Sequence, residues 1–346
     1  MSQISKKSIV LLACTGLLFY LIFLLFIRID IEKVLVLLSR AKTEYLLLAL
    51  FFDINFIAFY ALAWHFLVKA VAKRVKLRDS MLAVIMGWLG DMLIPAAFIT
   101  GEVIRLYYIN KKYRARYSSL AATVVIHRLL SAIAFVLYIF LGAFFLAFQR
   151  VFVAPTVFKE MIFISLLAGG FAVLLLSFIL NPELLSKLMT IASKYIIRFL
   201  EKAGLEKYSG DVLSGVESFK NSILLVKANI NLILLSFFLL MVQWACGIMV
   251  PYNVFHSLNC NVGFWLLSLA YPLYGVIDNI PLGIPVNAGL LDTAMITTFI
   301  LLGIEKNTAV AATLVTRFIT VVFEAILTSS ISLTFGIRSI LVELKK

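Results

Sequence analysis

The 346-residue chain reads as an all-α polytopic membrane protein with six full spans plus two re-entrant hairpins, arranged as an inverted repeat. Three observations lead there. Hydrophobic residues make up 63% of the chain against 14% charged, and mean hydropathy is +1.05, outside the range of soluble globular proteins. Apolar runs such as 9–27 and 161–180 are long enough to cross a hydrocarbon core of about 30 Å as helices. Two further apolar regions are interrupted by proline, glycine and carboxylates, and each is followed, 27 or 28 residues after a glycine, by an arginine inside an apolar helix.

Full spans are expected at about 9–27, 45–68, 118–148, 161–180, 230–252 and 308–336. The first follows Lys6 and Lys7, lacks an Ala-x-Ala cleavage site and ends at Arg28, which suits a retained anchor better than a signal peptide. The interrupted regions are about 81–100 and 263–303. Segments 69–80 and 101–117 flank the first, and each carries a net charge of +4. Basic loops stay in the cytoplasm, so 81–100 begins and ends on one side and is expected to dip in and return. Eight full crossings would instead put one of these two basic segments outside.

Carrying that orientation along the chain places both termini, 69–80, 101–117 and 181–229 inside, with 22 lysines and arginines against 7 outside. The hairpin at 263–303 then opens from the outer face. Residues 1–155 form a first membrane repeat and 156–346 a second, each with three crossings, so the second is upside down relative to the first. Within 183–229, Leu184, Leu188, Ile191, Tyr195 and Phe199 recur at helical spacing opposite Lys187, Lys194, Arg198 and Lys202, the pattern of a helix lying in the cytoplasmic interface.

The two interruptions read alike. The first runs Asp91, Pro95, Gly101-Glu102, Arg105, Ala121-Ala122-Thr123 and His127-Arg128. The second runs Asp278, Pro281, Pro285, Asn287, Gly289, Asp292, Ala311-Ala312-Thr313 and Arg317. Broken helices at corresponding places in two halves point to a transporter-type site near the membrane midplane. Asp53, Asp91, Arg128, Asp278, Asp292, Arg317 and Glu324 all fall inside spans or hairpins, at about 2.5–3.5 kcal/mol each, so pairing or function is the default reading. Arg128 and Arg317 offer planar guanidiniums suited to phosphate oxygens, with Arg105 nearby. Glu102, Asp292, Asp91 and Asp278 can neutralise them when no ligand is bound, and the same charges can equally act as ion pairs locking the hairpins. Pro95, Pro281 and Pro285 stop helices, while Gly101 and Gly289 allow close approach or positive φ. His127 is expected to be a packing residue, and the isolated His65 and His256 to be structural or interfacial.

Cys14, Cys246 and Cys260 have no metal or disulfide spacing, and neither a phosphate-binding loop nor a His-Glu-x-x-His helix occurs. No metal and no cofactor is expected. The net charge of +13 is assigned to membrane-flanking loops rather than to nucleic-acid binding.

The motif pair resembles that of the lysylphosphatidylglycerol synthase transmembrane-region family, the flippase-like membrane half of the bacterial multiple peptide resistance factor. Leu93-Ile94-Pro95, Gly101-Glu102, Arg105 and His127-Arg128 match its first motif. Pro285 to Asp292, followed by Arg317, match its second, which reads Pro-Gly-Gly-x-Gly-x-x-Glu. His127 stands where the family has glutamate, Val286 and Asn287 where it has glycines, and Asp292 where it has glutamate. The family's fused aminoacyl-transferase domain is absent from these residues. The resemblance implies a flippase-like transporter in the cell membrane, moving a phospholipid or polyprenyl-phosphate head group between leaflets, with Asn287 among the binding residues. Alternatives from other classes are an intramembrane enzyme acting on a lipid phosphate, a small-anion transporter and a helper subunit.

Overall fold

A computed structural model describes residues 28–94, 99–148, 181–202, 209–278 and 284–337, with scattered positions at 22, 25 and between 159 and 177. Among the described residues every regular element is a helix. The helices are α1 (Ile31–Ser39), α2 (Thr43–Val71), α3 (Leu77–Leu93), α4 (Ile99–Tyr113), α5 (Tyr117–Phe148), α6 (Pro182–Lys202), α7 (Ser209–Ala228), α8 (Ile230–Ser257), α9 (Phe264–Asp278), α10 (Leu290–Leu301), α11 (Lys306–Arg317) and α12 (Glu324–Ile331). A 3-10 turn at Pro285–Asn287 precedes α10. A π-helical segment, Phe318–Phe323, joins α11 to α12, and a second, Ser332–Ile337, follows.

Four of these helices are long and apolar enough to cross a membrane: Thr43–Val71, Tyr117–Leu146, Ile230–Ser257 and Lys306–Phe335. They coincide with four of the six expected spans. The other two, 9–27 and 161–180, lie largely outside the described residues. At 29 residues, α2 is about 44 Å long, ample for a core of about 30 Å. By contrast α3, α4, α9 and α10, at 17, 15, 15 and 12 residues, reach only about 18–26 Å.

Among the described residues, helices α2 and α8 form the most extensive interface. Ser236 of α8 donates to the Ala63 carbonyl at 2.8 Å, so a buried hydroxyl is satisfied across the seam. The repeated Ala-Ala-Thr triplets also have a packing job. Ala122, Thr123, Ala311, Ala312 and Thr313 are all fully buried, and small residues of this kind let membrane helices approach closely. Thr123 accepts from the Trp64 indole at 3.1 Å, tying α5 to α2.

Helices α3 and α4 fold back along one another. Gly87 faces Gly101 backbone to backbone, with a Cβ on Gly87 lying only 2.7 Å from the Gly101 oxygen. At the open end Asp79 accepts from Lys112 at 2.8 Å and from the Tyr113 hydroxyl. Burial works against charge on Asp79, but the hydrogen bonds from Lys112 and Tyr113 outweigh it and leave its carboxyl below the ordinary range. Helix α9 packs on α5, where Gly142 lets the backbone of Trp265 and Leu269 come close. Helix α10 lies against α9, with Tyr274 edge-on to Phe299 at 5.8 Å.

The expected interfacial segment is two helices rather than one, α6 and α7 packed on each other. Ile191, Tyr195, Ile196 and Phe199 of α6 are exposed, while Ser193 is buried.

Candidate functional site

A cavity of about 830 Å³ lies between the α3–α4 pair, the α9–α10 region and the long helices α2, α5, α8 and α11–α12. That is within the size range of ligand pockets, roughly 300–1,000 Å³. Its wall is mostly apolar, with Phe56, Phe135, Ile139 and Val250 among the lining residues, and Leu167 and Phe171 reach it from the 161–180 region. Set into that wall are two arginine clusters, one from each half of the sequence.

The first cluster is built on Glu102. One carboxylate oxygen accepts from Nε of Arg128 at 2.6 Å and lies 2.6 Å from an Nη of the same guanidinium. The other oxygen pairs with Arg105, one turn along α4. The two arginines differ in surroundings. Arg105 is 2% exposed and lies over the Trp64 ring, 4.8 Å from its centroid, with Tyr60 5.8 Å away. The Arg128 side chain is 38% exposed and faces the open cavity. Asp91, near the end of α3, accepts from the Gly101 amide at 2.7 Å and so fastens α3 to the start of α4. Its helix ends at Leu93 because Pro95 cannot continue it.

The second cluster is built on Arg317. Its Nε donates to Asp292 at 3.2 Å and an Nη donates to the Val286 carbonyl at 2.5 Å. Asp292 sits in the first turn of α10 and accepts the Gly289 amide at 2.7 Å, one half of a capping box. Gly289 has φ +84°, which suits glycine. Val286 and Asn287 also have positive φ, +47° and +49°. These are the two positions where the resembled motif carries glycine. The left-handed region is costly for a β-branched residue, and the backbone it imposes is what aims the Val286 carbonyl at Arg317.

Each cluster thus pairs an acid with an arginine, Glu102 with Arg128 and Asp292 with Arg317, 26 and 25 residues apart. Of the residues expected at the site, Arg128, Arg317, Glu102, Arg105, Asp91, Asn287 and Gly101 line the one cavity. Asp292 stands behind Arg317, and Gly289 and the turn at Pro285 shape the backbone beside it. Pro95, Pro281 and the side chain of Asp278 lie outside the described residues. His127 is fully buried, donating to the Tyr60 carbonyl at 3.2 Å and packing edge-on against the Tyr60 ring, as expected of a packing histidine. His65 bonds Ser80 across α2 and α3, and His256 bonds the Tyr252 carbonyl within α8.

Asp53 and Glu324, read from the sequence only as charges inside apolar spans, also line the cavity, as does Trp88. Asp53 and Glu324 meet in the cavity wall, and Trp88 donates its indole N–H to Glu324 at 2.5 Å. The signal available for the first two was their charge inside an apolar span. No group of three or more histidine, cysteine or acidic residues suited to a metal occurs among the described residues.

Long apolar helices surrounding a charged, partly apolar-walled cavity define an integral membrane protein of the all-helical class. The chain belongs to the family of the lysylphosphatidylglycerol synthase TM region, whose model matches residues 9–327. It is 26% identical over 335 residues to a UPF0104 membrane protein of Methanocaldococcus jannaschii, covering 94% of both chains. It is also 26% identical over 306 residues to a UPF0104 membrane protein of Pyrococcus horikoshii, covering 84% of this chain and 86% of that one. A third, from Methanothermobacter thermautotrophicus, is 24% identical over 289 residues, 82% of each.

Proposed function

We propose that this chain is a flippase-like transporter that moves the head group of a phospholipid or polyprenyl phosphate between leaflets of the cell membrane. The observation that carries the reading is the convergence of Arg128 and Arg317, from opposite halves of the sequence, on one cavity with an apolar wall. A guanidinium held by a single carboxylate is a phosphate site with an internal stand-in: the incoming phosphate takes the place of the Glu102 or Asp292 oxygens. The tails stay among the apolar residues and the bilayer. Arg105, stacked on Trp64, anchors Glu102 rather than meeting the ligand. Asn287 offers an amide at the rim of the second cluster.

The membrane arrangement in this reading is six spans with α3–α4 and α9–α10 as re-entrant hairpins of two inverted repeats, 1–155 and 156–346, and both termini cytoplasmic. Support comes from the four short helices, none long enough to cross alone, and from the meeting of Asp79 with Lys112 and Tyr113, which brings both ends of the α3–α4 pair to one side. Alternate exposure of the two hairpins would then carry the head group across.

The test uses purified protein in liposomes of the host's own lipids with head-group-labelled candidates, read by quencher accessibility. Wild-type protein is expected to accelerate movement of an anionic lipid, and Arg128→Ala and Arg317→Ala each to slow it by at least tenfold. Movement unaffected by either substitution would reduce the arginines to structural ion pairs. Chemical conversion of the lipid by the same vesicles would turn the reading towards an intramembrane enzyme.

A further inference from the structure

The arginines of the cavity are matched by carboxylates, Glu102 for Arg105 and Arg128 and Asp292 for Arg317. Two acids of the same wall are arranged differently. Asp53, near the middle of α2, is 1% exposed, and Glu324, at the start of α12, is 4% exposed. Their carboxyl groups come within hydrogen-bonding reach of each other, and both border the cavity. Two carboxylates cannot donate to one another. A hydrogen bond between them requires that one carry a proton, and like charges this close and this buried cannot both ionise. One oxygen of Asp53, Oδ2, is buried and receives no hydrogen bond from any N–H or hydroxyl donor of the described residues.

The other polar groups lining the cavity fit this assignment. From α2 itself comes the Tyr60 hydroxyl, and from α8 comes the neutral Gln243 amide. Helix α9 contributes Tyr271 and Tyr274. The remaining charges are Asp91 on α3, held by the Gly101 amide, and the arginine clusters of α4, α5 and α11, held by their own acids. The pair also has a mechanical link. Trp88 of α3 donates to Glu324 at 2.5 Å, so the pair joins α2 and α12 to one arm of the α3–α4 hairpin. Loss of the shared proton puts two like charges across the α2–α12 contact and strengthens the Trp88 bond to Glu324, because a charged acceptor binds a donor more strongly than a neutral one. Proton occupancy therefore changes how firmly Glu324 holds the hairpin through Trp88.

We propose that Asp53 and Glu324 share one exchangeable proton and form the proton site that couples head-group movement to a transmembrane proton gradient. The coupling role rests on the transporter reading above; the shared proton does not. One proton is taken up by the pair from one aqueous face and released to the other per cycle, with no bond made or broken besides the O–H.

Two measurements on the full-length protein separate the parts. Infrared difference spectra at stepped pH read the carbonyl stretch of a protonated carboxyl, with Asp53→Asn, Glu324→Gln and the double variant beside the wild type. The wild type is expected to show such a band at neutral pH, fading as pH rises, and the double variant to lack it. Because Asn and Gln mimic the protonated forms, these variants are expected to remain folded, which their unfolding midpoints check. A pH-dependent band that persists in the folded double variant overturns the proton site. The second measurement imposes a pH gradient across lipid-containing vesicles. The gradient is expected to raise the wild-type rate at least tenfold and to leave the rate of Asp53→Asn unchanged. An Asp53→Asn protein that responds as fully as the wild type overturns the coupling role. If wild-type vesicles move no labelled lipid, the transport reading and the coupling fall together, and the infrared band alone still decides whether the pair holds the proton.

Discussion

Replacing Gly101 by alanine tests the tightest contact in the site. A Cβ there would stand 2.6 Å from the Gly87 carbonyl oxygen and nearer still to the Asp91 carboxylate, whereas ordinary contact begins at 3.4 Å. The Gly87 oxygen is backbone, so it retreats only if α3 and α4 separate. Asp91 retreats only by giving up the 2.7 Å hydrogen bond from the Gly101 amide. Overpacking of this kind costs about 1–3 kcal/mol, and a lost hydrogen bond to a charged group about 1.5–3 kcal/mol. Gly101→Ala is therefore expected to destabilise by about 3–5 kcal/mol. Gly90→Ala is the control. Its Cβ meets the tip of Ile104, a flexible group that can turn aside for about 1 kcal/mol. Both changes put alanine into a helix, so intrinsic propensity cancels between them. Denaturant titration of the purified proteins in one detergent, followed by tryptophan fluorescence, reads the difference. A Gly101→Ala protein that unfolds at the same midpoint as Gly90→Ala would refute the close-approach argument.

Three further outcomes follow from the same geometry. Glu102→Gln leaves the buried Arg105 without its carboxylate and is expected to cost about 3–5 kcal/mol; adding Arg105→Met should recover part of that loss in a double-mutant cycle, and simple additivity would count against the pairing. Val286→Gly relieves a left-handed β-branched residue, worth about 1–2 kcal/mol, against the extra freedom glycine brings to the unfolded chain. The net expectation is a rise of about 1 kcal/mol, and a fall in the unfolding midpoint would contradict it. Asp79→Asn is expected to cost about 1.5–3 kcal/mol at neutral pH through its bonds to Lys112 and Tyr113. Because the folded carboxyl titrates below its unfolded value, that contribution is present above the ordinary carboxylate range and is lost as pH falls through the folded pKa. Wild type and Asp79→Asn should therefore converge in acid, and a gap that stays constant from neutral pH into acid would exclude the ionic assignment.

Much of the site was legible because the membrane makes charge conspicuous. A single arginine in an apolar run stands out, and the spacing from Gly101 to Arg128 and from Gly289 to Arg317 marked both clusters before any geometry. The long spans 43–71, 117–146, 230–257 and 306–335 declared themselves by hydropathy alone. Other features left weaker traces. Asp53 and Glu324 lie on helices at opposite ends of the chain, and neither has a counterpart in the other half, so their meeting is a product of tertiary packing. Val286 hides its left-handed backbone because valine gives none of the signal that glycine would. Nor could residue type separate Arg105 from Arg128: Arg105 is buried over Trp64, brought from α2, whereas the Arg128 side chain is partly exposed in the cavity.

The π-helical segment between Arg317 and Glu324 has a mechanical consequence. In an unbroken α-helix these residues, seven apart, would turn as one body. A wider turn at Phe318–Phe323 puts slack between them, and such insertions often sit at functional sites in otherwise regular helices. Arg317 is pinned to the α10 side through Asp292 and the Val286 carbonyl, and Glu324 to the α2–α3 side through Asp53 and Trp88. The last long helix therefore works less as a rigid rod than as two handles on a loose joint, each gripped by a different half of the protein.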